Sequence, residues 1–437
     1  MSALVLRQGL LVGPSTTQVG DLLVVDGVIA EVASHVDVPR GAMEVDAEGC
    51  WVGPGLVDIH THLREPGREE AETIESGARA GAVGGFTALV AMPNTEPALD
   101  NVALVAYVLE RGARTVLDVA VAGAITQGRR GEHLAPMAEM AALGVRLFTD
   151  DGIGVQNPSM MRRALEYAMP LGVTLAQHCE DEQLAGGGSM NESLLSGRLG
   201  LTGRPALAEE IMVMRDLELV RLTGARMHFL HLSTARSIAL VDAARREGLP
   251  VSFEVAPHHF TLDEDSCETF DPMFKVHPPL RPRSDVDALR AAMRAGLVDA
   301  VATDHAPHAP ELKDLPFDEA PAGMLGLEHV AALTFEALGA DQCDPHRFFE
   351  LLSRGPARVA QLRHADGNGA LNGHGGSLGV GERANLVVFD PRAQWTVDRA
   401  TLQSRSANTP YHGRELTGRV RSTVARGRLI VDQGTLL

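Results

Sequence analysis

The sequence predicts an α/β fold: a (β/α)8 TIM barrel carrying a small β-sandwich formed by the N- and C-terminal segments. Three observations lead there. Between about residues 55 and 365, short apolar runs alternate with amphipathic stretches, as parallel strands alternate with helices. On either side of that region the pattern is hairpin-like and lacks helical periodicity. The chain has 437 residues, enough for a large barrel and an appendage. The expected division is 1–54 for the N-terminal part of the sandwich, 55–365 for the barrel and 366–437 for the C-terminal part.

The first fifty residues read as short strands. Runs at 21–25 and 28–32 are joined by Asp26-Gly27, a two-residue hairpin signal because glycine tolerates the positive φ such turns demand. At Gly53-Pro54-Gly55 the pattern changes. Strands are expected at 57–62, 87–92, 117–122, 145–148, 174–178, 227–231, 251–255 and 300–303. Helices lie between them, for example at 234–247 and at 285–295, the latter beginning after Ser284 as N-cap and stopping at Gly296. Residues 366–376 are rich in Gly and Asn and read as a linker. Runs at 384–389 and 420–424 and a second hairpin-like stretch at 427–432 then return to a β pattern. The simplest geometry pairs the two β-rich ends beside the barrel.

Composition narrows the functional class. Thirty-nine basic against 57 acidic side chains give a net charge of −18, which argues against nucleic acid or an anionic membrane surface as partner. Hydrophobic residues at 45% and charged ones at 22% describe a globular chain rather than a disordered one. No apolar run reaches membrane-spanning length, and the first thirty residues lack a signal-peptide pattern. Cys50, Cys179, Cys267 and Cys343 are scattered and form no CxxC pair, so reduced thiols in a cytoplasmic protein are expected. The basic residues are nearly all arginine. Lys275 and Lys313 are the only lysines.

The residues that could carry chemistry gather at strand ends. His60 and His62 close the first barrel strand, and side chains at i and i+2 share one strand face. His178 ends the fifth strand and His231 the sixth; Asp150-Asp151 follows the fourth and Asp304 the eighth. Barrel enzymes build their sites at these C-terminal strand ends, and imidazole and carboxylate donors suit zinc. Any one of these residues could be a hydrogen-bonded structural group; the set as a whole reads as a metal site. Asp304, in Thr303-Asp304-His305-Ala306-Pro307-His308, is placed to exchange a proton with a metal-activated water and a leaving nitrogen. Arg64 could clamp a substrate carboxylate bidentately. Asp58 reads equally as an acceptor orienting a ligand imidazole or as a buried strand-end aspartate. His258-His259 reads as supporting or structural, and Glu180 and Asp181 as solvated or helix-capping.

At these residues the chain resembles the amidohydrolase superfamily and, within it, the bacterial type I dihydroorotases. The stretches that carry the resemblance are PGLVDIHTHLREPG at 54–67, AMPNTEP at 91–97, DDGIGV at 150–155, HCED at 178–181, EEIMVMRDLEL at 209–219, HLST at 231–234, EVAPHH at 254–259, KVHPPLR at 275–281, ATDHAPH at 302–308 and PFDEAPAGMLGLE at 316–328. The resemblance implies two zinc ions per chain, bridged by Asp151 and a hydroxide. His60, His62 and Asp304 would hold one ion and His178 and His231 the other. Asp304 would also be the catalytic acid and base. Substrate contacts would fall on Arg64, Asn94, His277 and His308, with backbone groups at Ala322 and Gly323. Two positions depart from the family pattern: His277 stands where asparagine is usual, and Ala322 where a larger residue is usual. The implied reaction is the reversible cyclisation of N-carbamoyl-L-aspartate to L-dihydroorotate in pyrimidine synthesis. The partners expected with it are the small-molecule substrate, a second copy of the chain, and an aspartate transcarbamoylase.

Two other readings compete. Hydantoinases (dihydropyrimidinases) and allantoinases share the fold but typically bridge their metals with a carboxylated lysine, and no lysine lies between His62 and His178. A non-catalytic dihydroorotase-like scaffold would be expected to lose ligands, and all six are present here.

Overall fold

The computed structural model describes residues 3–362, 371 and 373–437. Eight parallel strands stand in chain order around the barrel: Leu56–Thr61, Phe86–Ala91, Asp118–Gly123, Leu147–Thr149, Thr174–Gln177, Met227–Phe229, Val251–Val255 and Ala300–Val301. Each lies within two residues of the span read from the sequence. Every residue in them except Ala120 and Ser252 is buried, which is why they appear as apolar runs rather than as alternation. The ring closes where the His62 N–H donates to the His305 carbonyl (2.9 Å) and Thr61 pairs with His305. One hydrophobic core runs from strand residues such as Phe148, Leu175, Phe229 and Phe253 into the surrounding helices.

The helices start and stop for local reasons. Ala235–Arg246 follows Thr234, whose hydroxyl caps the Ser237 N–H. Arg283–Ala295 begins before Ser284, because Pro282 already directs the chain into the first turn; it ends at Gly296, at φ 81°.

The two chain ends share one nine-stranded sheet. Its joint is the short strand Trp51–Pro54, which pairs in parallel with Ala3–Val12 and antiparallel with Leu386–Thr396. The expected hairpins are both present, Thr17–Val25 with Val28–Ala33 and Glu415–Ala425 with Arg428–Asp432. The sheet folds over so that the hairpin tips meet: the Gly27 carbonyl accepts from the Ala384 N–H, and the Ala384 carbonyl accepts from the Gly427 N–H. Leu22, Val24 and Ile29 from one end pack with Leu386, Val388 and Val424 from the other, which makes the sandwich interior. Trp51 ties this unit to the barrel through edge contacts with Phe335 and Phe348, and packs within the sheet on Phe389 in a tilted contact.

Of the expected linker, residues 366–370 and 372 lie outside the described residues. The part that follows is anchored rather than free. His374 is buried and donates to Asp118 (2.9 Å) at the start of the third barrel strand.

Candidate metal centre and active site

Strands that stop one to three residues early leave the functional side chains on the rim. His60 lies inside the first strand and His62 one residue past it, while His178, His231, Asp151 and Asp304 follow strands five, six, four and eight. Three rim residues, Arg64 (φ 61°), His231 (φ 30°) and Asp304 (φ 47°), hold the left-handed backbone that non-glycine residues rarely adopt. Such strain persists where the surroundings over-determine it, as at a site.

The six donors converge. Asp151 Oδ1 lies 3.4 Å from His60 Nε2, 3.5 Å from His178 Nδ1 and 3.7 Å from His231 Nε2. Its Oδ2 lies 3.6 Å from His62 Nε2, and Asp304 Oδ1 is 3.1 Å from that same nitrogen. Two groups of metal-ligating geometry result, His60 with His62 and Asp151, and Asp151 with His178 and His231. Asp151 belongs to both. His60 Nε2 and Asp151 Oδ1 face each other, are buried, and have no hydrogen-bond partner among the described residues. Buried polar atoms are almost always paired, so this facing pair, with its nitrogen and oxygen chemistry, fits a divalent metal ion.

The electrostatics agree. Burial would lift the Asp151 carboxyl, but the imidazoles of His60, His178 and His231 hold it well below the usual range. Burial likewise opposes protonation of His178, yet Asp151 and Glu180 push its pKa up to about 9. Carboxylates that draw imidazoles so strongly toward the cation state are suited to a metal, which competes with protons for the same lone pairs.

Neighbouring residues explain the orientations. His60 Nδ1 donates to Glu254 Oε1 (2.7 Å) and His62 Nδ1 to Asn94 Oδ1 (2.8 Å). His178 Nε2 approaches Glu180 Oε2 at 3.4 Å, and Arg204 Nη1 holds that same oxygen at 2.7 Å. Asp150 is occupied elsewhere, accepting from the Ile125 and Thr126 N–H groups and the Thr126 hydroxyl, so Asp151 alone of the pair faces the donors. Asp58 is the buried strand-end aspartate of its two readings. It accepts from the backbone of His60 and Thr303 and from the Thr303 hydroxyl, tying strand one to strand eight.

A cavity of about 220 Å³ lies over the cluster, and Arg64, Asn94, His277, His308, Ala322 and Gly323 all line it. Arg64 is only 7% exposed, and its Nε donates to the Pro307 carbonyl (3.1 Å). Burial and Arg68 bring its pKa down to about 10, so it remains a guanidinium at neutral pH. Among the described residues no carboxylate pairs with it. His277 is neutral, its pKa pushed down to about 3 by burial, and its Nε2 has no partner. His308 Nε2 donates to the Ala322 carbonyl (2.8 Å), and the Gly323 N–H already donates to the Lys275 carbonyl (2.8 Å). Gly323 has φ 132°, and a Cβ there would fall 2.6 Å from Ala306 Cβ, so only glycine fits this wall. Both lysines are committed to carbonyls, Lys275 to Asp318 and Lys313 to Pro272 and Pro321.

Sequence reasoning missed several residues. Glu254 was visible as the one acid in an otherwise apolar strand, VSFEV, but its target lies 194 positions away. Glu180 is buried rather than solvated, because Arg204 reaches it from a later excursion; Asp181 does cap a helix, accepting from the Leu184 N–H. Arg129 Nη1 holds the Asp151 carbonyl at 2.6 Å, and nothing in the residue pattern pointed to it. His305 is engaged with buried Glu72 (3.2 Å).

Comparison with known proteins supports this picture. A family model described as Dihydro-orotase-like matches residues 49–237. The dihydroorotase of Anaeromyxobacter dehalogenans (strain 2CP-C) is 45% identical over 412 residues, covering 94% of this chain and 93% of the relative. That of Mycobacterium tuberculosis is 43% identical over 420 residues, covering 95% and 96%. Among solved structures, the L-hydantoinase (dihydropyrimidinase) from Arthrobacter aurescens superposes with a TM-score of 0.88 at 24% identity, covering 100% of this chain and 98% of the other. The D-hydantoinase from Thermus sp. gives 0.84 at 24% identity, covering 99% and 96%. The solved structures share the fold; the relatives share nearly the whole sequence length at an identity that defines kinship. The chain belongs to the dihydroorotase family.

Proposed function

We propose that the protein catalyses the reversible cyclisation of N-carbamoyl-L-aspartate to L-dihydroorotate at a centre of two zinc ions. One observation carries the choice among cyclic-amide hydrolases. Asp151 faces imidazoles of both donor groups, and both lysines are instead committed to backbone carbonyls, Lys275 to that of Asp318 and Lys313 to those of Pro272 and Pro321. His60, His62 and Asp304 would hold one ion, His178 and His231 the other, with Asp151 between them. Bound there, the ions would polarise the reacting carbonyl and lower the pKa of a water from ~15.7 toward ~7.

The chain's own groups do the rest. Asp304 Oδ1 is held by His62, while the nearest charged or imidazole partner of Oδ2 among the described residues is His258 Nε2, at 3.8 Å. That oxygen is the one free to take a proton from the attacking water and return it to the departing ring nitrogen. Arg64, buried and without a carboxylate partner, would take the substrate carboxylate. Asn94, on the cavity wall, keeps His62 in place with its carbonyl, and its amide donates to Asp151 Oδ2 at 3.4 Å. His277, neutral and with its Nε2 unpartnered among the described residues, and His308 supply the remaining polar wall, with the Ala322 carbonyl and Gly323 beside them, the Gly323 N–H and carbonyl being engaged by Lys275 and Asn408. A cytoplasmic location, a homodimer and association with aspartate transcarbamoylase complete this reading. The resemblance supports them, and four buried free cysteines suit a reducing compartment.

The test is a substrate panel on purified full-length protein of measured metal content. Hydrolysis of dihydroorotate, with dihydrouracil and allantoin left intact, is the expected result. Comparable kcat/KM on either alternative would reassign the substrate. No turnover by fully metallated protein would favour the scaffold reading.

A further inference from the structure

We propose that Glu254 is a positioning residue that couples the two halves of the metal centre, aiming the His60 Nε2 and fixing the backbone that carries His231. The inference rests on reading the cluster as a metal centre and assigns Glu254 no contact with metal or substrate.

The geometry is specific. Glu254 lies in the seventh strand, Val251–Val255, and is fully buried. Its Oε1 accepts from His60 Nδ1 at 2.7 Å and from the His231 backbone N–H at 3.4 Å. Its Oε2 accepts from His228 Nε2 at 3.1 Å, and its backbone carbonyl accepts from the Leu232 N–H at 3.0 Å. An imidazole whose Nδ1–H is committed to a carboxylate presents the lone pair of Nε2. In His60 that nitrogen is the one left unpartnered, 3.4 Å from Asp151 Oδ1. On the other side, His231 holds φ 30°, a conformation the chain leaves unless it is tied. Glu254 ties it twice, through the N–H of His231 and that of the next residue. One carboxylate thus reaches the ring of a ligand in the first donor group and the backbone of a ligand in the second. His228 meets its other oxygen and shares a hydrogen bond with Ser252 Oγ (2.7 Å).

A purely structural Glu254, filling the barrel interior, would alter melting temperature without touching metal binding. The test therefore reads metal directly. Apoprotein of full length is titrated with Co²⁺ and followed by visible absorption, and Zn²⁺ affinity is measured by chelator competition. Glu254→Gln should weaken the first ion by about 10–100-fold, the range expected when the partner of a ligating histidine is changed, and should alter the Co²⁺ spectrum. His228→Gln, which leaves the bond from His60 to Oε1 in place, should lose less than about tenfold and keep the wild-type spectrum. Wild-type affinity and spectrum in Glu254→Gln would overturn the proposal, as would an equal loss in both variants. If Glu254→Gln does not fold, Glu254→Asp serves instead. It keeps the charge but withdraws the carboxylate from His60 by about one C–C bond, ~1.5 Å, so the same spectral change is expected and a wild-type spectrum is disqualifying. A wild-type protein that takes up no Co²⁺ or Zn²⁺ would remove the metal reading itself, a failure distinct from that of Glu254.

Discussion

The two histidine pairs of the metal centre face the same aspartate but are held differently. His60 lies in the first barrel strand and His62 one residue past it, and each gives its second ring nitrogen to a firm acceptor, Glu254 at 2.7 Å and Asn94 at 2.8 Å. His178 and His231 stand on the turns after shorter strands. His178 meets Glu180 at 3.4 Å, an oxygen it shares with Arg204, and His231 Nδ1 has no partner. Ligands fixed before a metal arrives cost less to order when it binds, so in the proposed two-ion centre the first pair would form the tighter site and the second the more adjustable one.

The carboxylate common to both pairs offers the hardest way to break that comparison. Asp151→Ala should lower affinity for both ions at once and cost more activity than the roughly 10²–10⁴-fold typical of a lost proton carrier. Metal analysis and kcat on the same sample check it. Retention of both would pass the bridging role to a residue other than Asp151. Because Asp151 needs no carboxylation, rebuilding apoprotein with Zn²⁺ should restore activity without bicarbonate, and two uptake steps should appear, the tighter first. A bicarbonate requirement, or two indistinguishable steps, would refute the bridge or the asymmetry respectively.

Asp304 comes next in size. Asn at this position keeps shape and one oxygen but carries no proton, so Asp304→Asn should lose about 10²–10⁴-fold in kcat when fully metallated. Turnover within about tenfold of wild type would leave Asp304 as a ligand only and direct attention to His308, since His305 is bound to Glu72. A smaller effect sharpens the comparison from the loose side. Glu180→Gln should weaken the second ion by about 10–100-fold and spare the first, whereas Asn94→Ala, which frees His62 Nδ1 and also removes the 3.4 Å amide contact to the shared Asp151, should weaken the first ion more than the second. Stepwise Zn²⁺ titration separates the two. Equal losses at both sites in either variant would show that the halves are not independently held.

What the sequence disclosed follows the same division. Strands buried on both faces are mostly apolar, so all eight were legible as runs despite inward polar residues such as Asp58 and Glu254, and the period-2 geometry of a strand puts His60 and His62 on one face from their spacing alone. The donors on turns were legible by position, since barrel chemistry collects at the C-terminal strand ends. Their supports were not. Glu254 meets His60 across 194 residues and Arg204 meets Glu180 from the far side of an excursion, contacts that no local pattern encodes. Asp150 and Asp151 are identical by type; only the Thr126 loop that claims Asp150 tells them apart. The joint of the terminal sheet escaped for another reason. Trp51–Pro54 is four residues long and too short to show a strand period.

The smallest expected effect contrasts a paired buried carboxyl with one that faces no cation. Glu254 is buried, yet the imidazoles of His60 and His228 outweigh desolvation and bring its pKa down to about 2. Glu328, half-buried, accepts among the described residues the backbone N–H groups of Gln403 and Ser404, and desolvation lifts it to about 7. The signs of their linkage to stability are opposite. A lowered folded pKa contributes stability above the unfolded value that is lost as pH falls toward 2. A raised one does the reverse: the folded state holds its proton up to pH 7, the unfolded state releases it near 4.5, and stability declines as pH climbs between those values. Glu328→Gln removes that titration while keeping the shape. The melting temperature of the variant minus that of wild type should therefore rise from pH 4.5 to pH 7 and level off above it, with metal uptake unchanged because Glu328 touches none of the six donors. A difference that stays flat across the window would mean that the Gln403 and Ser404 N–H groups solvate the carboxylate as fully as a cation would, and that pairing with imidazole is not what separates Glu254 from other buried acids in this fold.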